Sequence, residues 1–312
     1  MTHTARPGHG RRVGGRHRMF YWMLLPGLVY TLVFKLLPMY GVVLAFKEYN
    51  IFKAATPFLS VFESPFVGLK YFRMLYTRPD FLSAFRNTLL ISLYKILFVF
   101  PIPILFALLL NELRGKRFKA TVQQIVYLPH FLSWTVAAGL FVSILSNNGV
   151  LNSLLAALGL DRVAFLMDRR VFRSVLVSTD AWKTFGWGSI VYLAAISGLD
   201  QEVYEAATVD GANRFRRIWH ITLPGIASTI VLMLILRVGS LLDAGFEQIF
   251  VLYNPVVYDV ADIINTYVYR IGLGEFNFSL GTAVGLFNST VSIVMVLSAN
   301  TLARRLTGRS IW

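Results

Sequence analysis

Two apolar stretches of this sequence carry charges that a bilayer disfavours: Asp180 and Lys183 in the first, Arg237 and Asp243 in the second. A charged side chain at membrane depth faces a water-filled cavity or finds a counter-ion. The spacing therefore predicts Asp180–Lys183 and Arg237–Asp243 bridges, or a polar chamber. Lys35 and Lys95 also fall inside apolar runs and are read as snorkelling along their methylene stems. Trp182 and Trp187 flank Lys183, with Gly186 and Gly188 expected to make room beside them. An indole there anchors at the membrane interface or offers its ring face to a ligand. Between the two stretches runs QEVYEAATVDGANRFRRIWHITLPGI (Gln201–Ile226), where Glu205 stands among the small or apolar Val203, Tyr204, Ala206, Ala207 and Val209. Small side chains admit another backbone closely, and one carboxylate among them wants an Arg or Lys from a partner. Other chemistries are excluded. The chain has no cysteine, and its five histidines show no H-E-x-x-H spacing. It has no G-x-x-x-x-G-K-[ST] run for nucleotide phosphates and no Ser–His–Asp or paired-carboxylate set for hydrolysis. No catalytic residue and no metal ligand is expected.

Membrane helices must place these residues. Of 312 residues, 56% are hydrophobic, 14% aromatic and only 15% charged, against about 25% charged in a soluble domain. A soluble enzyme and a disordered chain are both excluded. Six stretches are long enough to cross a bilayer: Met19–Ala45, Thr88–Leu113, Val122–Leu145, Ser174–Ile196, Gly225–Phe250 and Leu280–Leu302. The expected fold is an all-α membrane protein of six transmembrane helices. The first run is too long for a signal peptide and lacks an A-x-A-like site, so it is read as retained. The net charge of +14 comes from basic residues clustered beside apolar runs, which marks topogenic signals and anionic-lipid contacts rather than nucleic-acid binding. With the N-terminus inside, inner segments hold fifteen Lys and Arg and outer segments eleven, and RGKRFK (Arg114–Lys119) is a dense basic turn. Both termini are expected to be cytoplasmic.

The expected organisation is a basic tail (1–18), a first helix (19–46), an extracytoplasmic loop (47–86), a five-helix core (87–303) and a second tail (304–312). The loop, with Pro57, Pro65, Gly68 and Pro79, reads as an ordered cap without long helices. Asn147–Leu160 reads as an amphipathic interfacial helix, Pro101 and Pro103 as a kink, and Gly281 with Gly285 as a close-packing surface. In the inner loop, Gly211 after Asp210 stops one short helix and predicts a left-handed backbone. Phe215, Ile218, Trp219 and Ile221 mark a second short helix, and Leu223-Pro224 opens the fifth crossing.

Glu205-Ala206-Ala207, Gly211 after three residues, and Ile221-x-Leu223-Pro224 after nine more reproduce the EAA-loop spacing without a gap. On these residues the chain resembles the permease subunits of binding-protein-dependent ATP-binding-cassette importers. Tyr253–Leu273, SLGTAVGLFNS (Ser279–Ser289) and the terminal GRSIW resemble the sugar-permease branch, specifically LplB-type permeases, relatives of the maltose-importer subunit MalF. The resemblance covers nearly the whole chain. It implies the type I importer permease fold in the cytoplasmic (inner) membrane of a prokaryote. It also implies a coupling helix, 201–224, that docks in a cleft of an ATPase subunit through Glu205, Ala206, Ala207, Asp210, Gly211, Ile221, Leu223 and Pro224. The implied partners are an ATPase dimer that binds ATP and Mg, a second permease (a paralogue), an extracytoplasmic solute-binding protein and membrane lipids. No cofactor is implied in this chain.

Asp180–Ala207 is similar, without gaps, to the segment of maltose-type permeases that lends polar and aromatic groups to a mid-membrane sugar site. The resemblance places Asp180, Trp182, Lys183 and Trp187 on the substrate path before the loop, and Arg237, Asp243, Glu247 and Gln248 after it. Lys183 and Arg237 depart from neutral-sugar permeases and would suit a uronate. The implied function is ATP-driven import of oligosaccharides, acidic ones included, by alternating access. The alternatives are an importer of another solute and a helical membrane enzyme or scaffold. The last leaves the EAA spacing unexplained.

Overall fold

The computed structural model describes residues 18–113 and 115–307. The basic tail before Arg18, Arg114 of the RGKRFK turn and the terminal GRSIW lie outside the described residues. Helix α1 (Arg18–Thr31) continues through a π-helical turn (Leu32–Leu36) into a 3-10 segment (Leu37–Phe46). Two short helices follow in the expected loop, α2 (Pro57–Glu63) and α3 (Lys70–Thr77). Then α4 (Pro79–Tyr94) runs through a π turn (Lys95–Val99) into α5 (Pro101–Asn111). Helices α6 (Lys116–Tyr127), α7 (Trp134–Leu145) and α8 (Val150–Ala157) precede the long α9 (Phe172–Ser197). After α10 (Gln201–Val209), α11 (Arg214–Arg217) passes through a π turn (Ile218–Thr222) into α12 (Leu223–Gly239). The chain ends with α13 (Phe246–Leu252), α14 (Tyr258–Ala261), α15 (Ile264–Val268) and α16 (Phe278–Thr307).

Among the described residues five helical segments are long and apolar enough to cross a membrane: Phe20–Phe46, Pro79–Asn111, Trp134–Ala157, Arg214–Gly239 and Phe278–Arg305. Helix α9, at 26 residues, also has the length, but Arg173, Asp180 and Lys183 dilute its apolarity. Several expected boundaries differ. The second segment starts at Pro79, not Thr88, so its first turns lie in the expected loop. The stretch Val122–Leu145 is not one helix. Pro129 and the extended Leu132 and Ser133 interrupt it, and Ser133 accepts the Val136 N–H to start α7. Gly225–Phe250 is likewise divided, by Ser240–Gly245. The expected second amphipathic helix around Phe215 and Trp219 is the first part of the continuous Arg214–Gly239 segment. The interfacial helix is shorter than its leucine pattern, because Gly159 (φ +74°) ends it.

Three prolines act alike: each of three long helices widens into a π turn just before Pro38, Pro101 or Pro224. Leu37, Phe100 and Leu223 each donate five residues back, to Leu32, Lys95 and Ile218. A proline has no N–H and its ring presses on the preceding turn, so the wider turn relieves the clash and keeps backbone groups bonded where no water can serve them.

Lipid is as apolar as leucine, so close packing rather than water exclusion holds such helices together. Ile104, Ala107 and Leu108 of α5 pack against Tyr192 and Ile196 of α9 and Ile226 of α12. A Cβ on Gly186 would lie 2.2 Å from the Val126 carbonyl oxygen, and one on Gly188 would lie 3.2 Å from Pro103 Cγ. These glycines therefore make room for neighbouring helices, not for Trp182 and Trp187. A Cβ on Gly281 would lie 3.1 Å from Gly272 Cα, whereas one on Gly285 would meet nothing within 4 Å. Only Gly281 fulfils the close-packing expectation.

Candidate functional site

The loop between α9 and α12 is built to be exposed. Asp200 caps α10 by accepting the Glu202 N–H at 2.9 Å. At the other end Gly211 takes φ +77°, so Gly211 N–H reaches Thr208 O at 3.1 Å and Ala212 N–H reaches Ala207 O at 2.9 Å. This double closure needs a left-handed residue, which glycine supplies at least steric cost. Asn213 then caps α11 through the Arg216 N–H. No residue of α10 or α11 is buried. Glu205, Ala206, Asp210, Gly211 and Pro224 are exposed, and Ala207, Ile221 and Leu223 are half-buried. Val209 is 88% exposed and Phe215 73%. Apolar groups held open beside small alanines and a carboxylate form a surface suited to another protein. Tyr204 Oη and Thr222 Oγ1, 2.8 Å apart, tie α10 to the π turn that leads into α12.

The second assembly lies between the long helices. Lys95 Nζ and Arg237 Nη2 approach the same oxygen, Asp180 Oδ2, at 3.5 and 3.4 Å. Lys95 also donates to Ala244 O at 3.0 Å and Gln248 Oε1 at 2.5 Å. Gln248 in turn donates to Leu176 O and Thr179 Oγ1. Ala244 (φ +50°) and Gly245 (φ +85°) form the break after α12. Leu241 O and Ala244 O at this break need donors inside a membrane, and the α4–α5 segment supplies them: Ser92 Oγ donates to Leu241 O and Lys95 to Ala244 O, while Gly245 O takes the Ile249 N–H of α13. A cavity of ≈ 270 Å³ adjoins this cluster, lined by Phe100, Thr184, Gly188, Tyr192, Arg237 and Ser240 among others.

The other expected site residues are divided between faces. Lys183 turns away from Asp180 and donates to His130 O at 2.8 Å, with Nζ 5.4 Å from the Trp134 ring centre. Trp187 stacks on His130 with ring centres 4.6 Å apart, and Trp182 meets Phe141 edge-on. Trp182, Lys183 and Trp187 do not line the Arg237 cavity. Asp243 accepts from Asn265 at 3.0 Å beside a ≈ 510 Å³ cavity and also lines a ≈ 60 Å³ cavity with Lys95, Asp180 and Arg237, and Glu247 is exposed on α13. Both expected bridges are thus corrected: Asp180 pairs with Lys95 and Arg237, and Asp243 with Asn265. At i,i+3 Lys183 has Asp180 as a neighbour, but the backbone break at Leu128–Phe131 offers a free carbonyl that its ammonium takes instead.

The family of binding-protein-dependent transport system inner membrane components matches residues 82–308. The chain belongs to that family. This permease is 46% identical to Protein LplB of Bacillus subtilis (strain 168), over 93% of this chain and 90% of LplB. It is 43% identical to the polygalacturonan/rhamnogalacturonan transport system permease protein YteP of the same organism, over 93% of this chain and 89% of YteP. A chain of a bacterial ABC transporter involved in the import of the acidic polysaccharide alginate superposes with TM-score 0.86 at 44% identity, over 94% of this chain and 97% of that one. The same score, at 43% identity over 95% and 97%, relates it to a chain of the alginate transporter in complex with an alginate pentasaccharide-bound periplasmic protein.

Sequence reasoning read Lys95 as snorkelling and passed over Ser92. The permease holds Lys95 midway along a 33-residue helical segment, roughly 24 Å from either end at ~1.5 Å per residue. No lysine stem snorkels that far, so helix length alone marked it as a buried cation in need of a partner.

Proposed function

We propose that this permease is a transmembrane subunit of an ATP-driven importer of acidic oligosaccharides. The observation that carries the reading is the match, along 94% of the chain, to a chain of an alginate importer. YteP, named for polygalacturonan and rhamnogalacturonan, points to the same solute class. In this reading six helices cross the membrane, α9 included, and both termini are cytoplasmic. The Gln201–Pro224 loop enters a cleft of an ATPase subunit, with Glu205, Ala206, Ala207, Asp210 and Gly211 at the contact and Ile221, Leu223 and Pro224 shaping the re-entry. ATP and Mg belong to the ATPase dimer. A solute-binding protein delivers the oligosaccharide from outside, and a second permease completes the pore, because a dimeric ATPase offers two clefts.

Closure of the ATPase dimer would draw the coupling loops together, and Tyr204–Thr222 would pass the movement into α12, which carries Arg237. Alternation between outward- and inward-open states then follows from rocking about the mid-membrane site. Arg237, half-buried at the cavity edge, supplies a charge-assisted donor for a uronate carboxylate, and Phe100 and Tyr192 supply ring faces for the sugar. The test is uptake by the reconstituted complex of permease pair, ATPase and binder in proteoliposomes. ATP-dependent uptake of oligouronates in preference to neutral oligosaccharides is expected. Preference for neutral sugars overturns the acidic assignment, and the absence of any ATP-dependent sugar uptake overturns the importer reading.

A further inference from the structure

We infer that Lys95 is a charge-positioning residue for the solute chamber: by occupying Asp180 it leaves Arg237 with positive charge to offer an anionic sugar. The inference rests on the acidic-oligosaccharide reading above and adds the group that sets the selectivity.

Lys95, Asp180 and Arg237 meet at one carboxylate oxygen, and together they sum to one surplus positive charge. Their side chains are 2%, 10% and 41% exposed respectively. A cation without access to water must be compensated by the protein, whereas an exposed guanidinium keeps part of its hydration. The Asp180 charge is therefore committed first to Lys95, and the surplus resides on Arg237, the member that lines the ≈ 270 Å³ cavity. Lys95 is not among that cavity's lining residues, so it acts through Asp180 and does not touch the solute.

The remaining charged groups nearby do not cancel this surplus by contact. Asp243 lines a ≈ 60 Å³ cavity with Lys95, Asp180 and Arg237, but its carboxylate accepts from Asn265 and pairs with neither cation; Glu247 is exposed on α13; Lys183, itself a cation, donates to His130 O. Neither carboxylate forms an ion pair with Arg237 among the described residues. The ammonium is also held in place. Ala244 O and Gln248 Oε1 accept from it, and a Cβ on Gly245 would sit 2.6 Å from Nζ, so glycine there keeps the space the ammonium fills. If Lys95 were neutral, Asp180 would serve Arg237 alone, and the pair would present no net charge to the cavity.

The experiment compares uptake of an oligouronate with uptake of its carboxyl-reduced, neutral counterpart by the full reconstituted complex. Wild type is expected to favour the oligouronate. Lys95→Met is expected to raise KM for the oligouronate about tenfold or more, the size of one lost charge-assisted contact, while kcat and neutral uptake change little. Lys95→Met combined with Asp180→Asn is expected to restore the acid preference, because Arg237 again keeps its charge. An unchanged preference in Lys95→Met overturns the inference. So does equal loss of both solutes in the single and double variants, which is the signature of a lysine that only caps the α12–α13 break. Should the single variant not fold, the double variant decides alone: loss of acid preference with neutral uptake intact overturns the inference. A wild type without acid preference overturns the acidic-solute reading, and this inference with it.

Discussion

Two of the helix stops that use left-handed residues in this permease, at Gly211 and at Ala244–Gly245, are finished in opposite ways. At Gly211 the turn closes on carbonyls of its own helix, and nothing lies within 4 Å of where a Cβ would be. At the Leu241–Gly245 break two carbonyls, Leu241 O and Ala244 O, are taken by Ser92 and Lys95 of a segment about 150 residues earlier in the chain, and a Cβ on Gly245 would collide with Lys95 Nζ. Solvent explains the contrast. A helix end that faces water has a fallback donor and acceptor everywhere, so a local motif suffices. A break at membrane depth has none, so the carbonyls that local turns leave free must be met by other helices. The first stop leaves a surface free to meet another protein, and the second builds a locked polar cluster.

Substitutions should separate the two assemblies. Asp180→Asn removes the counter-ion of a fully buried ammonium and is expected to destabilise the permease by about 3–5 kcal/mol. The check is thermal unfolding in detergent followed by tryptophan fluorescence, and an unshifted transition would show that the cluster is no more locked than the loop. Glu205→Lys should leave that transition in place yet weaken co-purification of the ATPase by roughly a hundredfold, the equivalent of ~3 kcal/mol. If instead the melting temperature falls and the ATPase stays bound, the exposed loop is structural and the comparison fails.

The glycines sharpen the contrast. Both Gly211→Ala and Gly245→Ala place a side chain at positive φ, at about 1–2 kcal/mol each. Only Gly245→Ala also drives a methyl into Lys95, adding about 1–3 kcal/mol of overpacking. The two melting curves should differ by that second amount, and coincident curves would show that the ammonium yields freely. The smallest effect is expected for Trp187→Ala, which loses a stacked ring worth about 0.5–1.5 kcal/mol. Uptake kinetics for this variant should stay near wild type, since Trp187 packs on His130 and does not line the Arg237 cavity; a collapse of uptake would return it to the substrate path.

The Gln201–Pro224 loop was readable because the turns that shape it lie within about two dozen consecutive residues. Gly211 announced its turn by its type, whereas the caps Asp200 and Asn213, which act over only two or three positions, went unread. The polar cluster was only half-readable. Asp180 and Arg237 stood out as charges in apolar runs, but the pairings drawn for them, with Lys183 and Asp243, favoured near neighbours in the chain. The true partner, Lys95, is 85 positions from Asp180 and meets it only because the α4–α5 segment crosses α9 beside the broken end of α12.

Composition and hydrophobic runs alone determined that this is an all-helical membrane protein, and the EAA spacing alone determined its kinship with importer permeases, since both signals are local or additive along the chain. Only the tertiary structure decided where the long apolar runs break, which glycines admit a neighbouring helix, and which cation receives the buried carboxylate. Those outcomes depend on which helices touch. In a medium that offers no hydrogen bonds of its own, every freed carbonyl and every buried charge must be answered by whichever distant segment packing brings within about 3 Å.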